Sequence, residues 1–170
     1  MLNKKMQDAI NDQINFELYS GYIYLAMSAY FESISLKGMA SWMRVQAMEE
    51  QAHAKKFYDF VIDRGGKVFL SAIGDPGKEW KSPIDAFQFS LEHETKVTAR
   101  IGKLMDLAYE LKDHASASFL QWFIDEQVEE EASFDDIIQT LKLAGDSAGL
   151  FMIDKDLATR VFVPPMGITL

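Results

Sequence analysis

The chain of 170 residues contains no cysteine. Disulfides, thiolate-bound zinc, iron–sulfur clusters and a cysteine nucleophile are therefore excluded, and the composition fits a reducing compartment. Proline and glycine are also scarce, with 4 and 10 residues, which leaves room for long uninterrupted helices. At this length one domain is the default, so we expect a single domain over residues 1–170.

A basic surplus and a long apolar run are missing as well. The chain has 26 acidic and 17 basic residues, a net charge of −9, whereas a nucleic-acid binder normally carries a basic face. The most apolar run, residues 18–31, is 14 residues long, and a membrane-spanning helix needs about 20. Because no signal peptide is recognisable, we expect a cytoplasmic protein with no nucleic-acid or membrane partner.

Long helical patterns fill most of the sequence, and no segment alternates in the manner of a strand. Ser82 and Pro83 read as an N-cap followed by a first-turn proline. The predicted helices cover residues 4–32, 39–64, 83–111 and 114–144, followed by a short fifth helix over 150–160 and an irregular tail over 161–170. This pattern predicts an all-α fold, a four-helix bundle with a short fifth C-terminal helix.

The connections predict how the four helices are arranged. Short turns after the first and third helices make each of them antiparallel to its successor. The second connection has about sixteen residues and reaches about 50 Å when extended. A helix of 26 residues is only about 39 Å long, so this loop can cross the whole bundle. We therefore expect an up-down-down-up bundle with one long crossover loop.

Polar residues interrupt the apolar seam of each predicted helix near its middle. Measured from the turns near residues 35 and 112, they lie 15 or 18 positions away, which is about 22–27 Å along a helix axis. The six residues are Glu17, Glu50, His53, Glu94, Gln127 and Glu130. Their common height predicts one thin polar layer across the core.

Carboxylates buried together repel one another, so they need shared protons or bound cations. A glutamate from each of two helices, with a Glu-x-x-His motif on the others, is the pattern of di-iron bundles. The sequence has one such motif, Glu50-x-x-His53, and its counterpart is Gln127-x-x-Glu130. Oxygen ligands with one imidazole favour iron or manganese.

Two metal positions follow from this layer. The first would be held by Glu17, Glu50 and His53. The second would be held by Glu50, Glu94 and Glu130, with Glu50 as the bridge. Gln127 would be a weak ligand or a hydrogen-bonding neighbour of the second metal.

These blocks resemble the non-haem ferritins of bacteria and archaea, within the ferritin-like di-iron superfamily. Bacterioferritins would have a second Glu-x-x-His motif, and rubrerythrins would add a cysteine-bearing domain. The resemblance covers residues 1–160 and rests on Glu17, Glu49-Glu50-x-x-His53, Glu94, Glu126-Gln127-x-x-Glu130 and the segment GLFMIDKDLATR.

The resemblance implies an iron-storage protein with ferroxidase activity, that is, an iron(II):oxygen oxidoreductase. It implies a hollow homo-oligomer of twenty-four subunits, in which dioxygen or hydrogen peroxide oxidises ferrous iron at a di-iron centre and the ferric mineral is stored inside. It also implies that Tyr24 lies beside the centre as an electron or proton donor. A third adjacent iron site would use Glu49, Glu126, Glu129 and Glu130.

Other interpretations stay open at this point. Glu49, Glu126 and Glu129 read equally well as an exposed acidic face. A di-iron oxygenase acting on an organic substrate would have a similar layer, and so would a metal-free helical scaffold with protonated carboxyls. His93 directly precedes Glu94, so we expect it off the seam, at a surface or an interface. The sequence leaves open which reductase partner would serve the protein.

Overall fold

The computed structural model describes residues 1–145 and 147–165, and within them every regular element is a helix. The five helices are α1 (Lys4–Ser33), α2 (Lys37–Asp63), α3 (Pro83–Glu110), α4 (His114–Ala144) and α5 (Ser147–Leu157). The predicted all-α fold is confirmed, although α5 begins and ends three residues before the expected range of 150–160. Residues 166–170 of the predicted irregular tail lie outside the described residues. None of the described helices combines the length and the apolar character needed to cross a membrane.

Local side chains start three of the long helices. Asn3 accepts a hydrogen bond from the amide of Lys5 at 2.9 Å, at the start of α1. Ser82 and Asp113 do the same for α3 and α4, and Pro83 fits the first turn, where its missing N–H is not needed. These caps satisfy amides that have no partner within their helix, so the starts of these three helices are encoded locally.

The connection between α2 and α3 runs along the length of α1. At its beginning, Asn11 donates a hydrogen bond to the carbonyl of Lys67 at 3.0 Å. At its end, the ring of Trp80 packs 5.5 Å from the ring of Tyr30. Because α3 starts where α1 ends, α2 and α3 both run antiparallel to α1. The crossover and the up-down-down-up arrangement are therefore confirmed.

Two apolar clusters occupy the two ends of the bundle. The first contains Met27, Phe31, Met43, Phe87 and Phe134. The second contains Ile10, Ile14, Phe57, Ile101 and Phe123. Along each helix the polar layer falls between the two clusters, so it is sealed from both ends by tightly packed side chains.

Helix α5 docks on the N-terminus of α2. Oδ1 of Asp154 accepts a hydrogen bond from the amide of Met39 at 2.9 Å, which supplies the cap that α2 lacks from its own flanking residue. A Cβ at Gly38 would lie 1.6 Å from the carbonyl oxygen of Asp154. Only glycine permits this approach, and the contact fixes the place where the chain after α5 emerges.

Candidate metal centre

All six residues of the predicted polar layer are buried in the middle of the bundle. None exposes more than 5% of its surface. They come from all four long helices: Glu17 from α1, Glu50 and His53 from α2, Glu94 from α3, and Gln127 and Glu130 from α4. The six side chains therefore lie in one region of the bundle, at the common height that the sequence spacing predicts.

Glu17, Glu50 and His53 form the most closely grouped part of the layer. One candidate ligand atom from each lies within 4.8 Å of the other two. Nδ1 of His53 lies 3.6 Å from Oε2 of Glu50. Three of their buried atoms, Oε2 of Glu17, Oε2 of Glu50 and Nε2 of His53, have no hydrogen-bond partner. Such atoms are costly to bury, and two carboxylates with an imidazole are a donor set suited to ferrous iron.

The orientation of Glu17 is set by Gln13, one turn earlier on α1. Nε2 of Gln13 donates a hydrogen bond to Oε1 of Glu17 at 2.8 Å, and Oε1 of Gln13 accepts one from Arg100 at 2.9 Å. The second oxygen of Glu17 is left without a partner. Gln13 is not among the residues predicted from the sequence, although its spacing of four residues from Glu17 is a usable signal.

Glu94 is held by hydrogen bonds from both sides. Tyr24 donates to its Oε1, and Nε2 of Gln127 donates to its Oε2 at 3.2 Å. The same Gln127 nitrogen lies 3.2 Å from Oγ1 of Thr98. The structure thus shows Gln127 as a hydrogen-bond donor to Glu94, and Tyr24 as a direct neighbour of the layer.

Glu130 belongs to a second group of candidate ligands. Atoms of His53, Glu126 and Glu130 lie within 4.8 Å of one another, and Nε2 of His53 is 3.8 Å from Oε1 of Glu126. Glu130 is also oriented by Gln46, whose Nε2 donates to its Oε2 at 2.7 Å and lies 3.4 Å from Oε1 of Glu50.

The acids expected at a third site are only partly assembled. Glu126 is half-buried, and its carboxylate lies 3.8 Å from the imidazole of His53 in the layer. Glu49 is half-buried, but its carboxylate pairs with Arg160. Glu129 is exposed. Of the four residues, Glu126 and Glu130 are therefore grouped with His53, whereas Glu49 is engaged elsewhere.

Burial makes ionisation of the carboxyls unfavourable. It raises the pKa of Glu94 to about 8, with a further contribution from Glu130. It also raises the pKa of Glu50, with Glu94 adding to the effect, and the pKa of Glu130. Burial raises the pKa of Glu49 to about 7, although Arg160 opposes this. Without a cation the layer therefore retains protons near neutral pH.

Neighbouring carboxylates raise the pKa values of two ring side chains at the layer, Tyr24 and His53. Burial raises the pKa of the Tyr24 phenol, and the charge of Glu94 raises it further, so Tyr24 stays a protonated donor. Burial alone would lower the pKa of His53, but the facing carboxylates of Glu126 and Glu50 outweigh it and raise that pKa.

The expected surface or interface position of His93 is wrong. Its side chain is buried because α1 packs on that side of α3. Nε2 of His93 lies 2.7 Å from Oγ of Ser20, and its ring stacks on Phe16 with centroids 5.2 Å apart. Burial, aided by Lys96, lowers the pKa of His93 to about 4. At neutral pH this side chain is therefore an uncharged core residue.

Comparison with known proteins places this geometry in a family. The family model of the ferritin-like domain, which describes the sequences of that family, matches residues 7–144 of the chain. A bacterial non-heme ferritin of Staphylococcus saprophyticus is 44% identical over 163 residues, covering 95% of this chain and 98% of the relative. One of Bacteroides fragilis is 42% identical over 160 residues, covering 94% of this chain and 100% of the relative.

Solved structures agree with the sequence relatives. A closed form engineered from the Archaeoglobus fulgidus ferritin superposes with a TM-score of 0.95 at 51% identity, covering 96% of this chain and 100% of that one. The open pore ferritin of the same archaeon gives a TM-score of 0.93 at 50% identity, covering 95% and 100%. Since the family model, the relatives and the fold all agree over nearly the whole length, the chain belongs to the ferritin-like domain family.

Proposed function

We propose that this protein stores iron, by oxidising ferrous ions inside the helical bundle and depositing the ferric product within a multi-subunit shell. One observation carries the proposal: Glu17, Glu50 and His53 bring candidate ligand atoms within 4.8 Å of one another, and each of these residues has a buried polar atom without a hydrogen-bond partner. A site that leaves carboxylate and imidazole atoms unsatisfied in a sealed core is suited to a cation. The non-heme ferritin relatives support iron as that cation.

The substrate of the proposed reaction is ferrous iron, bound in pairs. The first ion would be held by Glu17, Glu50 and His53. The second would be held by Glu50, Glu94 and Glu130, with Gln127 at its edge and Glu50 as the bridge. Each ion loses one electron, and the two electrons with two protons convert dioxygen to hydrogen peroxide. Hydrogen peroxide is an alternative oxidant, which would take up the two electrons and two protons and form water.

The residues around the two ions have separable tasks. Gln13 orients the carboxylate of Glu17, and Gln46 orients that of Glu130. Because burial raises the pKa of Glu94 to about 8, this carboxyl holds a proton at neutral pH when no cation is present, and ion binding releases that proton. Tyr24 would serve as an electron or proton donor beside the second ion.

A third ferrous ion would bind next to this pair. Its proposed ligands are Glu49, Glu126, Glu129 and Glu130, and its position would lie toward the exposed side of α4. Glu126 and Glu130 are already within reach of His53. Glu49 and Glu129 would have to turn toward the ion, so this site would form as the ion binds.

The proposed assembly is a homo-oligomer of twenty-four subunits. Support comes from the close superposition on two archaeal structures, an open pore ferritin and an engineered closed form of a ferritin. A mineral store requires such an enclosure because ferric iron precipitates in open solution at neutral pH. The cytoplasmic location stays a prediction from the sequence.

Aerobic oxidation of ferrous iron by the metal-free protein tests the proposal. Wild type should oxidise two ions per subunit rapidly, and then build a dissolved mineral-loaded particle that elutes as a large oligomer. The double variant Glu50→Ala with His53→Ala should lose the rapid phase. Gln51→Ala, an exposed neighbour on the same helix, should behave as wild type. Equal rates in the double variant and wild type would show that the centre is assigned wrongly.

A di-iron oxygenase acting on an organic substrate is the second candidate. It would need an apolar cavity beside the metals, and one surface depression of about 320 Å³ does reach Gln127. Its lining is mainly apolar and comprises Thr98, Ile101, Ile124, Gln127, Val128 and Glu131. A small oligomer in size exclusion, together with failure to retain mineral, would favour this activity over storage.

A further inference from the structure

A single arginine connects the segment after α5 to the metal centre. Nη1 of Arg160 donates a hydrogen bond to Oε1 of Gln46 at 2.8 Å, and Nη2 donates to the carboxylate of Glu49. The guanidinium also lies 4.1 Å from the centroid of the Trp42 ring. All three partners are on α2, so three contacts hold Arg160 against this helix.

The contact with Gln46 gives Arg160 a defined place in the site. A glutamine amide has one acceptor oxygen and one donor nitrogen. Since the oxygen of Gln46 accepts from Arg160, its nitrogen faces Glu130 at 2.7 Å. Moving the guanidinium away would break this chain of hydrogen bonds and the ring contact together, so its positive charge is held beside Glu49.

We propose that Arg160 is a positioning residue that acts as a built-in counter-cation for Glu49 and competes with the third ferrous ion for that carboxylate. The inference rests on the proposed function. A cation that binds through Glu49 must share the carboxylate with a guanidinium and approach its positive charge, which opposes binding. The third ion is therefore held more weakly than it would be without this charge.

Zinc titration of the assembled metal-free protein by calorimetry tests this role, because zinc binds without oxidation. Arg160→Gln keeps a hydrogen-bonding side chain and removes the charge. We expect it to leave the first two zinc ions per subunit unchanged and to tighten the third by about tenfold or more. Arg160→Lys keeps the charge without the two-branched donor geometry. Its affinity for the third zinc ion should therefore lie between those of wild type and Arg160→Gln.

Arg64 offers a matched control. Its side chain has the same exposure as that of Arg160, 23%, and it also pairs with a carboxylate, that of Asp113. This ion pair connects the C-terminal end of α2 to the N-terminal end of α4, far from the polar layer. Arg64→Gln should lower thermal stability without changing the affinity of any zinc ion. Zinc anomalous scattering from crystals of Arg160→Gln should show Glu49 turned to the third ion.

The outcomes separate the inference from the proposed function. If wild type binds two zinc ions and Arg160→Gln binds the third no more tightly than wild type does, the role of Arg160 is overturned and the di-iron centre stands. If wild type binds no zinc at the polar layer, the proposed function fails and the inference fails with it. If Arg160→Gln does not fold, Arg160→Lys decides: unchanged or weaker third-site binding overturns the inference.

Discussion

The phenol of Tyr24 on α1 donates a hydrogen bond to Oε1 of Glu94 on α3. This bond joins the two halves of the bundle within the polar layer. It favours the ionised form of Glu94 and so opposes the effect of burial on that carboxyl. A cation binds only the ionised carboxylate, which links the tyrosine to ion affinity.

Tyr24→Phe should therefore shift ion binding to higher pH. The ring packing on Phe134 is retained, whereas the hydrogen bond that stabilises the ionised carboxylate is lost. Loss of this bond should lower the free energy of unfolding by about 1 kcal/mol. The measurement is zinc affinity as a function of pH. Tyr109→Phe, at an exposed position, is the control, and an identical pH midpoint in Tyr24→Phe and wild type would contradict the prediction.

The position of the polar layer could be predicted from sequence because helix geometry converts spacing into height. Glu17 and Glu94 lie equally far from their turns, and α-helices fix the rise per residue. The long crossover could be predicted in the same way, since chain length limits reach. Both are properties of a single helix or loop, so they do not depend on knowing which side chains touch.

The partners of the layer could not be predicted because they depend on rotation and docking. His93 lies beside Glu94 in sequence, and only the packing of α1 on α3 shows that it is buried. Arg160 lies 30 residues after Glu130, and its contact with Gln46 requires α5 to dock on α2. No periodic pattern carries that information.

The metal-free protein should become less stable as the pH rises from 6.5 to 8. The pKa of Glu94 is raised from its ordinary 4.5 to about 8, and that of Glu49 to about 7. The folded state then binds more protons than the unfolded state, so the free energy of unfolding falls with increasing pH. Melting temperatures at about pH 6.5, 7.5 and 8.5 would measure this.

Added zinc should reverse that trend because it binds the ionised carboxylates. Glu94→Gln should flatten the pH dependence of the metal-free protein, while Glu92→Gln, at an exposed position on the same helix, should not. A melting temperature of the metal-free wild type that rises steadily over this range would contradict the pKa shifts.

The two buried histidines should respond in opposite ways to substitution. His53→Leu should abolish binding of the first zinc ion because it removes the imidazole ligand. His93→Leu should leave zinc binding unchanged, since His93 contacts Ser20, and that hydroxyl retains its hydrogen bond to the carbonyl of Phe16. Calorimetric zinc titration of both variants measures this, and loss of an ion in His93→Leu would reassign that residue.

His93 should also contribute to acid sensitivity. Its pKa is lowered from 6.5 to about 4 in the folded state, so the unfolded state binds more protons between these values. Stability from this residue is present above pH 6.5 and is lost as the pH falls toward 4. His93→Leu should therefore lose less stability than wild type over this range, as measured by urea unfolding.

The docking of α5 should depend on the absence of a side chain at Gly38. Alanine there would place its Cβ 1.6 Å from the carbonyl oxygen of Asp154, and since that atom is backbone, α5 must move away. Gly38→Ala should cost about 1–3 kcal/mol, and Asp154→Ala about 1 kcal/mol through the lost cap on Met39. Denaturant unfolding gives the energies, and hydrogen exchange at Met39 reports the loss of the bond.

Gly102 and Asp156 provide the controls for this prediction. A Cβ at Gly102, inside α3, would meet nothing within 4 Å, so Gly102→Ala should stabilise the protein by about 0.5–1 kcal/mol. Asp156→Ala, on the exposed side of α5, should have little effect. If Gly38→Ala were as stable as Gly102→Ala and kept Met39 protected, α5 would not rest on α2 as the structure has it. Arg160 would then lack the anchor that holds its charge beside Glu49.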